Sequence, residues 1–125
     1  MKTIIAGSRQ GFTEARVRLH LDRFTHHRIT EVVCGGARGV DTFGERWALG
    51  RNLHVKYFFP DWSAYGFAAG FRRNREMADY ADALIAFHAN DSSGTGNMIR
   101  EALKRGLAVT VVDEWGNVAF TEARR

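Results

Sequence analysis

The chain has 125 residues, 45% of them hydrophobic and 26% charged, which fits one ordinary globular core and excludes a disordered, collagen-like or disulfide-rich class. Its formal charge of +4 favours anionic partners without singling out nucleic acid, and the lone Cys34 excludes an intrachain disulfide. No apolar stretch approaches the roughly 20 residues that span a bilayer, and the opening MKTIIAGSR is too soon polar for a signal peptide, so Met1 is expected to begin the mature chain and the cytoplasm is the expected compartment.

In chain order, residues 2–6 read as a first strand, an unbroken apolar run of the kind buried on both faces. Val17, Leu21 and Phe24 then recur at the spacing of one helix face. Residues 31–35 form a second such run, followed by Val40, Phe43 and Trp47 on a second helix, and residues 54–59 a third. Pro60 opens PDWSAYGFAAG, which is long for a strand-to-helix connection and carries Trp62, Tyr65 and Phe67. That segment is either a lid or a small satellite core. The spacing predicts a helix over 70–81, a strand over 82–87, and a further helix on which Met98 pairs with Ala102 and Ile99 with Leu103, ended by Gly106. Residues 107–112 make a fifth strand, and Trp115-Gly116-Asn117 offers a turn back into a short edge hairpin.

Strands alternating with helices predict an α/β fold: a Rossmann-like three-layer sandwich on a mainly parallel five-stranded sheet, with residues 1–125 as a single domain. In a parallel sheet the turns that follow the strands share the carboxyl edge, where open α/β sheets bind ligands. Three of those turns carry glycine: Gly7-Ser8-Arg9, the run from Gly35 to Asp41, and the run from Ser92 to Gly96. Glycine lets backbone approach a ligand closely, and helix N-terminal amides face an anion, so phosphate is the natural guest. The candidate ligand-binding residues are Gly7, Ser8, Arg9, Gly35, Gly36, Arg38, Asp41, Arg73, Asn74, Ser93, Gly94 and Thr95. Asp41 either charges the first turn of its helix or contacts a ribose, and Arg73 and Arg75 are either a ligand cluster or a helix face paired with Glu76 or Asp79.

No turn fits a complete G-x-x-x-x-G-K-[ST] or G-x-G-x-x-G, so neither a P-loop NTPase nor a dinucleotide oxidoreductase is supported. His20, His26, His27, His54 and His88 lack ligand spacing, so no metal and no cofactor is expected. Cys34 reads as a buried strand thiol rather than a nucleophile.

IIAGSR at 4–9, VVCGGARGVD at 32–41, RRNREM at 72–77, ADALIAF at 81–87 and SSGTGNMIREAL at 92–103 together resemble the SLOG superfamily, in particular its small YspA-like branch. GSR, GGARGVD and RNR also resemble the Rossmann-like core of DNA-processing protein A, and RNREMADYADALIAF followed by GT is similar to the Lonely-guy phosphoribohydrolases. The resemblance implies a nucleotide or nucleotide-derived phosphate-bearing ligand, bound or sensed. Alternatively it implies hydrolysis of the N-glycosidic bond of nucleoside monophosphates, or binding of single-stranded nucleic acid. It further implies a homo-oligomer, as relatives with this core commonly pair through helices. In the hydrolases an arginine and a glutamate carry the chemistry. Arg73 falls on that arginine, with Asn74 in place of the motif's lysine, but the glutamate position is Met98. Glu101, Asp41 and Asp91 are the carboxylates that could replace it, with Glu101 and Arg73 as the candidate catalytic pair.

Overall fold

Residues 1–23, 28–89 and 92–124 are described by the computed structural model. Expectations that fall on Phe24, His26, His27, Asp91 and Arg125 lie outside the described residues. Strands and helices alternate as β1 (Lys2–Gly7), α1 (Glu14–Arg23), β2 (Glu31–Cys34), α2 (Val40–Gly50), β3 (His54–Tyr57), the one-turn α3 (Trp62–Tyr65) with a 3-10 turn at Gly66–Ala68, α4 (Ala69–Tyr80), β4 (Ala83–His88), α5 (Ser93–Lys104), β5 (Ala108–Asp113) and β6 (Val118–Thr121).

The sheet order is β3-β2-β1-β4-β5-β6, with the first five strands parallel and β6 antiparallel to β5. Two successive crossovers step one way from β1 and the next two step the other way. Because such crossovers are right-handed, the two pairs of helices fall on opposite faces. Residue parity along the strands shows the result. Ile5, Val32, Cys34, Ile85 and Phe87 pack with Val17, Leu21, Val40 and Trp47 of α1 and α2. Their neighbours Ile4, Ala6, Val33, Leu84 and Ala86 pack with Met77, Ala78, Met98 and Ala102 of α4 and α5. Both faces are covered, which is why these strands read as continuous apolar runs rather than alternating ones. The expected Rossmann-like three-layer arrangement is therefore present, with the switch point between β1 and β4.

Among the described residues the five expected buried strands are joined by a sixth, the return strand of the expected edge hairpin. The sixth returns through a turn in which the Asp113 carboxylate accepts the Trp115 and Asn117 N–H groups at 2.9 and 2.8 Å. All four β6 residues are exposed, so hydrophobic burial gives this strand no signature beyond its turn. At β3 the strand stops two residues short of the expected 59. The Phe58 N–H still reaches the Cys34 carbonyl at 2.9 Å, but Pro60 has no N–H to continue the ladder. No helix among the described residues is long and apolar enough to cross a membrane.

Candidate functional site

A cleft of about 940 Å³ opens at the carboxyl edge, lined by the loops after β1, β2 and β4, by the start of α5 and by one face of α4. All twelve residues expected to bind ligand line it: Gly7, Ser8 and Arg9; Gly35, Gly36, Arg38 and Asp41; Arg73 and Asn74; Ser93, Gly94 and Thr95. The structure thus brings together segments up to about ninety residues apart in the chain, because parallel strands deliver their ends to one edge.

Their chemical situations differ. Ser8 is buried, its Oγ donating to the Ala89 carbonyl at 3.0 Å and accepting the Ala89 N–H at 2.9 Å. It stitches the β1 turn to the β4 turn, and its single proton is already committed. Asp41 is likewise buried, its carboxylate accepting the Ala37 N–H at 3.2 Å and held also by the Gly35 and Gly7 amides. Burial pushes its carboxyl up to about 6, against the opposing pull of those amides and of Arg73. Asp41 therefore clamps two of the three glycine turns from beneath.

Arg73 leans into the same loop. Its Nη1 donates to the Gly35 carbonyl and its Nε to the Asn74 side-chain oxygen at 3.1 Å, which engages two of the five guanidinium N–H groups. A Cβ on Gly35 would sit 2.6 Å from that Nη1, so glycine is what admits the arginine here. Gly36 adopts φ +75 and an added Cβ would strike the Phe59 ring at 2.6 Å. Asn74, also buried, donates to the Gly94 carbonyl at 3.2 Å and to the Asn97 side chain at 2.9 Å, tying α4 to the first turn of α5. Asp79 pairs at 2.6 Å with Arg105, at the C-terminal end of α5.

The third turn is the open one. Ser92 precedes α5 without a side-chain cap, and its hydroxyl instead meets the buried Thr95 hydroxyl at 3.3 Å. Among the described residues no other group lies within 4 Å of where a Cβ on Gly94 would stand. The N-terminus of this twelve-residue helix, the positive end of its dipole, thus lies at the cleft, which Ser93, Gly94 and Thr95 line together with Arg73.

The model for YAcAr, the YspA, cpYpsA-related SLOG family, matches residues 1–65, over half of the chain and inclusive of the first two glycine turns. The chain belongs to this SLOG family. It is also similar to the Gene 61 protein of Mycobacterium phage D29, with 42% identity over 84 residues that span 62% of this chain and 67% of that protein. No solved structure matches.

In this SLOG chain the acid position of the hydrolase motif is apolar in its surroundings as well as its identity: Met98 is 1% exposed and packs with Ile4, Leu84 and Met77 beneath the cleft. Glu101 does not reach the cleft. It meets Arg105 at 2.7 Å and Lys104 at 3.6 Å, and the Arg105 hydrogen bond above all holds its carboxyl below the usual range. Three residues along a helix from Met98 is a rotation of about 300°, which lets the two residues serve different neighbours. Asp41 is the one acidic side chain lining the cleft among the described residues. Cys34 is buried and its thiol is pushed up to about 12, by burial first and then by Asp41 and Glu45, which leaves it inert. Among the described residues no group of three or more His, Cys, Asp or Glu is placed to hold a metal ion.

Sequence reasoning did not name Phe59, Phe71, Gln10 or Ala89 as lining residues. Nor did it foresee Asn97 as the partner of Asn74. The loop after β3 forms α3 through the Asp61 carboxylate, which accepts the Ala64 N–H at 3.1 Å. Neither α3 nor the following 3-10 turn buries any residue, so the segment is not a satellite core. A Pro-Asp pair ahead of an aromatic was the available signal for that turn.

Proposed function

We propose that this chain binds a nucleotide or nucleotide-derived ligand, with the phosphate seated at the N-terminus of α5 beside Arg73. The convergence of three glycine turns and the Arg73–Asn74 pair on one cleft carries this reading. Family membership supports the nucleotide class, and the physical chemistry supports the placement. Asp41 takes up the Gly7, Gly35 and Ala37 amides of the first two turns, whereas the third brings a helix N-terminus and Gly94 to the cleft. Arg73 supplies a planar fork that suits phosphate.

Residues 1–125 act as one binding domain in this reading, with every long helix packed on the one sheet. Binding or sensing is favoured over N-glycosidic hydrolysis because Met98 is buried in the hydrolase acid position and Glu101 is engaged with Arg105. Exposed Arg9, Arg38, Arg72 and Arg75, with Arg72 over the exposed Tyr65 ring, keep single-stranded nucleic acid as the second reading. A homo-oligomer is the expected assembly.

Calorimetric titration with nucleoside monophosphates tests the proposal. Wild type should bind at least one of them, Arg73→Ala should weaken that binding by about 1.5 to 3 kcal/mol, and free base should not accumulate. Unchanged affinity in the variant would remove the phosphate role from Arg73, and efficient release of base would make Asp41 the acid to test. Strand binding would show itself by a salt dependence that steepens with each phosphate neutralised.

A further inference from the structure

Between β3 and α4 the cleft is lined by aromatic side chains for which the phosphate reading has no use. Phe59, Trp62, Phe67 and Phe71 all line it while remaining 68%, 56%, 101% and 41% exposed. Exposed apolar area of this kind, bordered by polar groups, marks an interaction site. Two of these rings, Phe59 and Trp62, are held in place. Phe59 stacks on Tyr57 with centroids 5.6 Å apart and planes 4° from parallel, and its edge lies over Gly36. A Cβ on Gly70 would stand 3.5 Å from the Trp62 ring, the Asp61 cap fixes the turn that carries Trp62, and Arg72 covers Tyr65 at 3.9 Å.

Two observations identify the occupant. The segment from Phe59 to Phe71 contains no Val, Leu, Ile or Met, so its apolar surface is built of flat rings and small alanines rather than the branched chains that line aliphatic pockets. It also sits three strand spacings from the α5 N-terminus, across β2 and β1, roughly 14 Å along the sheet edge. Side chains reaching inward shorten that gap, so one nucleotide-sized molecule can meet both ends. We propose that Phe59, Trp62, Phe67 and Phe71 form a ring subsite that takes the planar heteroaromatic base of the ligand by stacking. This rests on the nucleotide reading above and adds the part of the ligand that the glycine turns leave unassigned.

The experiment titrates wild type, Trp62→Ala and Phe67→Ala with the four common ribonucleoside 5′-monophosphates, with ribose 5-phosphate and with the four nucleosides. The best monophosphate should bind wild type at least about fivefold more tightly than ribose 5-phosphate does. Both variants should lose most of that margin while holding ribose 5-phosphate as wild type does. Phe67 is fully exposed, so Phe67→Ala tests the subsite without threatening the fold. Equal affinity of wild type for ribose 5-phosphate and every monophosphate overturns the ring subsite and leaves the phosphate seat standing. If no phosphate-bearing probe binds, the phosphate reading fails instead. The ring subsite is then kept by a nucleoside whose binding Trp62→Ala weakens, and overturned if no nucleoside binds. A ten-nucleotide single strand bound where no mononucleotide binds overturns it too, since the wall would then be a strand platform.

Discussion

Asp41 has the most pH-sensitive position in the cleft. A carboxyl normally near 3.8 is pushed up to about 6 by burial, so between those values the folded chain holds a proton that the unfolded chain has released. Stability from this group is therefore greatest at low pH and falls as pH rises through about 4 to 6, by roughly 3 kcal/mol if the full gap is expressed. Denaturant unfolding at intervals from pH 4 to 7 should show that decline in wild type and a flatter profile in Asp41→Asn. Parallel profiles would mean that the carboxyl titrates at its ordinary value. Comparison with the variant is essential, because Glu101, Glu31 and Asp22 have lowered pKa values and lose stability in the opposite direction, as pH falls. Arg73 is coupled to the same carboxylate. Arg73→Lys keeps a charge beside Asp41 but lacks the fork that reaches both Gly35 and Asn74. It should retain more of the wild-type pH profile than Arg73→Ala while recovering only part of the ligand affinity, as unfolding and titration of the two variants would show.

Helix α5 allows stability and binding to be separated by one methyl group. Gly94 lies in its first turn with helical backbone and open space where a Cβ would go. Gly94→Ala should therefore leave thermal stability unchanged or raise it by up to about 1 kcal/mol, while weakening any ligand whose phosphate approaches that backbone. Gly36→Ala should behave oppositely, losing on the order of 1 to 3 kcal/mol of stability, because φ +75 and the Phe59 ring both resist a side chain. A Gly94→Ala protein that binds like wild type would move the phosphate away from α5. These positions also show what was legible beforehand. Buried strands and the four long helices could be read because burial on both faces leaves a continuous apolar signature, and the glycine turns because a parallel sheet dictates where its strand ends go. The one-turn α3 leaves no such signature, since it buries no residue, and the exposed β6 was legible only through the Trp115-Gly116-Asn117 turn that announces its hairpin. Side-chain commitments were equally hidden: whether Ser8 and Asp41 face a ligand or clamp neighbouring loops depends on backbone groups that only the assembled edge brings within reach.

Seen whole, the sheet has two unlike edges, and the difference bears on assembly. At one end β3 carries Lys56 and exposed His54, and a charged edge discourages pairing with another strand. At the other end β6 has no charged residue across Val118–Thr121, and Val118 is 51% exposed with Trp115 in the preceding turn 79% exposed. A short, uncharged, antiparallel edge strand can meet its own copy across a two-fold axis and extend the sheet, burying the same apolar side chains on both partners. This would place association at the β6 edge, away from the helix-to-helix pairing that the family resemblance implies. The carboxyl-edge cleft, built from loops on the β1, β2 and β4 side, would remain open in such a dimer. Light scattering of wild type at micromolar and higher concentration should report a dimer. Val118→Lys, at an exposed site where the core is not disturbed, should shift it to monomer while leaving unfolding of the monomer within about 0.5 kcal/mol. If wild type is monomeric, or if Val118→Lys remains dimeric, β6 is not the interface, and pairing through α1 and α2 or through α4 and α5 becomes the arrangement to test.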